Sequence, residues 1–76
     1  MSAAQAAAKN SPPLQRALSS TPQLEKNLNQ AIQQTPELGQ TLQNSPQFAE
    51  TVAATPALAE AMASQPGMAQ AAVEQY

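Results

Sequence analysis

TPQLEKNLNQAIQQTPELGQTLQ, residues 21–43, carries the logic of the whole chain. Thr21 and Thr35 each precede a proline, and each proline is followed by a leucine two residues on and a second leucine four residues after that. Thr and Ser are favoured N-caps, because the hydroxyl can accept a bond from a free N–H of the first helical turn. Proline suits the first helical position, where its fixed φ is right and its missing N–H costs nothing. Leucines four apart then share one face of a helix. The stretch from Thr21 to Thr35 is four residues longer than one copy of the phrase elsewhere. Four residues are one helical turn, and Ile32 continues the stripe of Leu24 and Leu28. A strand, with its period of two, leaves that insertion unexplained.

Outward from this stretch the same phrase recurs as SPPLQRAL from Ser11, SPQFAETV from Ser45 and TPALAEAM from Thr55, with a worn copy, QPGMAQAA, from Gln65. Leu14 and Leu18, Leu38 and Leu42, Phe48 and Val52, and Leu58 and Met62 form the apolar pairs, and Met68 stands alone in the worn copy. The fold class expected is all-α: about six short helices near 12–19, 22–33, 36–43, 46–53, 56–63 and 66–75. Each begins at a Ser11, Thr21, Thr35, Ser45 or Thr55 cap, or at Gln65, and linkers of two or three residues separate them. The residue before each proline is pushed out of the helical region, which breaks the rod at every copy. Gly39 lies inside the third of these helices at a cost of about 0.5–1 kcal/mol relative to alanine.

Residues 1–10, MSAAQAAAKN, form a separate segment. Ser2 can cap a short helix there, but no large apolar residue follows Met1, so a flexible or frayed helical tail is expected before a repeat domain at 11–76. Six two-turn helices with two anchors each cannot, on this reading, bury every anchor against another. The expected shape is therefore an open right-handed arc or hand with a hydrophobic groove. Leu24, Leu28, Ile32, Leu38, Leu42, Phe48, Val52, Leu58, Met62 and Met68 are the candidates for core and groove together. An apolar face left open is a place for a partner, and Met62 and Met68 are flexible enough to fit varied ones.

Composition excludes much else. The chain of 76 residues has no cysteine and no histidine, so disulfides, Cys/His zinc sites and His-based catalysis have no residues to build on. Three basic residues, Lys9, Arg16 and Lys26, against five acidic ones, with one Phe and one Tyr, provide neither a phosphate-tracking surface nor a stacking platform for nucleic acid. No apolar run reaches the length of a membrane span. The N-terminus lacks the basic start and apolar core of a secretory signal, so the expected location is cytoplasmic. Its first twenty residues, rich in Ser, Ala, Gln and Asn, also fit the start of a secreted bacterial effector.

Two further signals have simpler explanations. The Ser-Pro and Thr-Pro pairs match proline-directed phosphorylation sites, but capping accounts for them together with the leucine spacing. Glu25, Glu37, Glu50, Glu60 and Glu74 occupy unrelated slots of the repeat, so they assemble no carboxylate pair or metal site by spacing. No catalytic residue, metal or cofactor is expected.

Tandem short helices begun by a small polar cap plus proline and carrying leucines or methionines at i and i+4 resemble the aspartate-proline (DP) repeat domains of the Hop/Sti co-chaperones and ubiquilins. Residues 21–43 and the stretch SPQFAETVAATPALAEAM from Ser45 to Met62 are the most similar, and the likeness covers roughly 11–75. The caps here are Ser and Thr where that family favours Asp and Asn. The resemblance implies an all-α hand of five or six helices whose groove receives an apolar helical segment of a client or of the same protein.

The function expected is thus a non-enzymatic, co-chaperone-like module that holds a hydrophobic or amphipathic helical segment of a client protein. The alternative is a structural docking or oligomerisation domain in which the same face pairs with a second copy.

Overall fold

In a computed structural model, described over residues 2–76, Pro12, Pro22, Pro46, Pro56 and Pro66 each open a helix, as the phrase requires, and Pro36 lies one residue ahead of one. The helices are α1 (Ala3–Ala7), α2 (Pro12–Ser20), α3 (Pro22–Gln34), α4 (Glu37–Asn44), α5 (Pro46–Ala54), α6 (Pro56–Ser64) and α7 (Pro66–Gln75). The described residues contain no strand, and the all-α class holds. There are seven helices where about six were expected, because the Ala-rich segment contributes one.

The links are shorter than expected. Thr21, Ser45, Thr55 and Gln65 are each the sole residue between two helices, and Thr35 with Pro36 joins α3 to α4. The pre-proline residue still donates its own N–H back into the helix it ends: Thr21 to Ala17 O, Thr35 to Ala31 O, Ser45 to Thr41 O and Thr55 to Thr51 O, all at 2.9 Å. Each helix therefore runs up to the residue that proline displaces, and only that residue's ψ breaks it. Ser11, Thr21, Thr35, Ser45, Thr55 and Gln65 share nearly one conformation, with φ between −135 and −125° and ψ between 80 and 96°.

Identical bends between short rods wind a chain into a spiral. The packing shows this directly: beyond sequence neighbours, α4 rests on α1, α5 on α2, α6 on α3 and α7 on α4, so each helix meets the one three places before it. The most extensive of these pairings joins α3 and α6. α3 also touches α1 and α7, and α2 makes no contact with α4, nor α5 with α7.

A spiral with every third helix stacked turns its apolar stripe towards its own axis. Leu14, Leu24, Leu28, Leu38, Leu42, Phe48, Val52 and Met62 are all buried, and Leu18 is nearly so. Alanines close the remaining space: Ala31, Ala49, Ala59, Ala63 and Ala69 are buried beside them. The open arc expected from the sequence is not seen. Its premise was that two-turn helices could not cover each other's anchors, and stacking at every third helix supplies that cover. The principal extents are 26 × 22 × 22 Å and the radius of gyration is 10.3 Å, against about 11 Å for a globular chain of this length.

Candidate functional site: the seat under the N-terminal helix

The hydroxyl capping expected at Ser11, Thr21, Thr35, Ser45 and Thr55 is absent: none of these side chains bonds a helix N–H. Ser11, Thr21, Ser45 and Thr55 do hold the N-cap position, while Thr35 ends α3 one residue ahead of Pro36. The cause is backbone geometry. In α3, α4 and α6 the carbonyl of the pre-proline residue itself accepts the N–H three residues on, from Leu24, Leu38 and Leu58 at 2.9–3.0 Å. In those three helices one of the N–H groups that a capping hydroxyl would serve is already bonded. Ser2, whose ψ is 163°, does cap: its Oγ accepts the Gln5 N–H at 3.2 Å, and Gln5 Oε1 accepts the Ser2 N–H, a capping box.

Most of the large side chains expected to line core and groove together lie in the core. Leu24, Leu28, Leu38, Leu42, Phe48, Val52 and Met62 are fully buried, and Ile32 and Leu58 are partly buried against them. Met68 is the exception at 38% exposed, and Tyr76, 58% exposed, stacks on Phe48 with ring centroids 4.7 Å apart. Two surface depressions, of about 660 and 340 Å³, lie elsewhere. The larger follows the polar side of α3 past Glu25, Asn29 and Gln33, and the smaller runs between Gln5, Gln15 and Leu18.

The departure that matters most is α1. Within the segment 1–10, expected to be a flexible or frayed helical tail, Ala3–Ala7 form a docked helix that lies against both α3 and α4. It needs no large side chain, because Ala4, Ala7 and Ala8 are at most 1% exposed and let its backbone approach closely. These positions follow i, i+3, i+4, one face of a helix.

Polar side chains from three other helices then hold the backbone of this segment. The Ala4 N–H donates to Asn29 Oδ1 of α3 at 2.8 Å, and Gln43 Nε2 of α4 donates to Ala6 O at 3.1 Å. Gln15 Nε2 of α2 donates to Ala8 O at 3.0 Å and Lys9 O at 2.9 Å, and Ser2 Oγ donates to Glu25 Oε2 at 3.1 Å. A helix of five residues leaves most of its backbone groups without partners of its own, and these amides satisfy several of them. Among the described residues no buried side-chain polar atom lacks a partner.

Sequence reasoning missed the seat because it weighed large side chains only. The signal was present in the Ala4, Ala7, Ala8 spacing. The clamping residues Gln15, Asn29 and Gln43 sit among many other amides and carry no such mark.

Among the described residues no group of three or more potential metal-ligating side chains comes together, and no helix is long and apolar enough to cross a membrane. Compared with protein-family models, with curated proteins and with solved structures, the chain gives no match.

Proposed function

We propose that this chain is a non-enzymatic protein-binding module that holds a helical segment of a partner protein against the face formed by α3 and α4. The observation that carries the reading is α1 itself: a short helix lies on that face, with Ala4 and Ala7 buried and its backbone bonded by Asn29 and Gln43. Helix-in-groove recognition uses the same elements, an apolar stripe at i, i+3 and i+4 set into a complementary face. The resemblance of the repeat phrase to the DP domains of co-chaperones points to the same class of partner, a hydrophobic or amphipathic helical segment of a client.

Titration of an amphipathic helical peptide into the ¹⁵N-labelled chain tests the reading. Shifts gathered on α1, α3 and α4 are the expected result, and a spectrum unchanged at millimolar peptide contradicts it.

Exposure of Met68 and Tyr76, the two large apolar side chains most open to solvent, favours a second reading, self-association through α7. Sedimentation at rising concentration tests it: a mass that doubles, and that Met68→Ser returns to monomer, supports self-association. A constant monomer mass rules it out.

A further inference from the structure

The helices α2 to α7 are built to one plan, and α1 departs from it in three ways. It has no proline start, and a three-residue turn, Ala8 to Asn10, joins it to the Ser11 link. It also contacts the helix two places on, α3, as well as the one three places on, which no other helix of the chain does. α1 thus stacks on α4 as the spiral requires and rests on α3 as well, but it lacks the proline link by which the repeats are joined.

The bonds that hold it have a particular character. Asn29, Gln43 and Gln15 all bond backbone atoms of the segment, at Ala4, Ala6, Ala8 and Lys9. Bonds to the main chain are blind to side-chain identity. Selection falls to the positions of Ala4, Ala7 and Ala8, which are closed off from solvent, so that a larger side chain there has to displace its packed neighbours. A five-residue helix is also too short to persist unaided, so it forms where it docks and is lost when it leaves.

From this juxtaposition we infer that α1 is a detachable occupant of the α3–α4 seat, and that the seat accepts in its place a partner helix carrying small residues at i, i+3 and i+4. The inference rests on the helix-binding reading above and narrows the partner from any apolar helix to an alanine-rich one. It also makes α1 a built-in competitor that weakens binding until displaced.

The experiment uses the full chain with Ala4→Glu and Ala7→Glu, which places two charges where burial forbids them and so empties the seat. Two labelled peptides are titrated by fluorescence anisotropy: one with the sequence of residues 2–10, SAAQAAAKN, and one with leucine at the positions of Ala4, Ala7 and Ala8. The expected result is that the alanine peptide binds the variant at least tenfold more tightly than the unaltered chain, and that the leucine peptide binds at least tenfold more weakly than the alanine one. Equal binding of both peptides overturns the small-residue selection and leaves the helix-binding reading standing; binding of neither to a folded variant overturns both. Loss of helicity throughout the variant would show α1 to be integral to the core and overturn detachment.

Hydrogen exchange on the unaltered chain gives a second check that needs no charge. Amides of Ala6 to Ala8 should exchange at least tenfold faster than those around Leu28, and Asn29→Ala with Gln43→Ala should widen the gap. Equal rates for the two segments would mean that α1 opens only with the whole fold, against detachment. Exchange of arms between two copies, seen as a dimer that SAAQAAAKN dissolves, would support detachment with a second copy as donor.

Discussion

The Ser/Thr-Pro pair does a different job from the one its chemistry advertises. Hydroxyl capping would make Thr55→Ala cost about 0.5–2 kcal/mol. Thr55 is exposed and its hydroxyl caps nothing, so the expected cost is within about 0.5 kcal/mol, measured by urea denaturation. Ser2→Ala removes a true cap and should measurably speed amide exchange within α1. Gly39 is a second place where a single atom decides. A Cβ there would meet Ile32 Cγ2 at 3.5 Å, an ordinary contact, so Gly39→Ala should stabilise the chain by about 0.4–1 kcal/mol and raise the urea midpoint. Leu28 lies at the other extreme, with no exposed surface. Leu28→Ala should cost about 2–5 kcal/mol, and Leu28→Asp should abolish the helical signal in circular dichroism.

Helix boundaries were legible because proline writes them. Pro12, Pro22, Pro46, Pro56 and Pro66 each open a helix where the phrase places it, and α2 to α6 end one residue beyond expectation because the pre-proline N–H stays bonded. The Leu24, Leu28, Ile32 stripe was equally readable, since its period follows from helix geometry alone. The docking of α1 was not, because alanine is both the best helix former and a frequent surface residue, so burial of Ala4 and Ala7 depends on a partner face that the local sequence does not describe. The same holds for Ala49, Ala59 and Ala69, each directly after an anchor residue and each buried. Their small size is a packing requirement: Ala59→Leu should cost about 1–3 kcal/mol through overpacking, read from the shift in urea midpoint.

The global arrangement follows from repetition of one bend. Because six links share one backbone conformation, the direction change per helix is nearly constant and the chain returns over itself at every third helix. Burial is then shared: a two-turn helix too small to cover its own anchors is covered from the next turn of the spiral. Sequence patterning gives the stripe on each helix, but which helices meet depends on the angle at the link, and no residue states that angle by itself. A stability of about 4–11 kcal/mol is typical for a chain of this length, so loss of one stacked pair should unfold the whole.

A methyl-resolved NOESY spectrum tests the spiral most directly. Stacking at every third helix predicts contacts between side chains of α2 and α5, of α3 and α6, and of α4 and α7, with none between α2 and α4 or between α5 and α7. Contacts confined to helices adjacent in sequence would describe an open arc and contradict the fold proposed to build the seat.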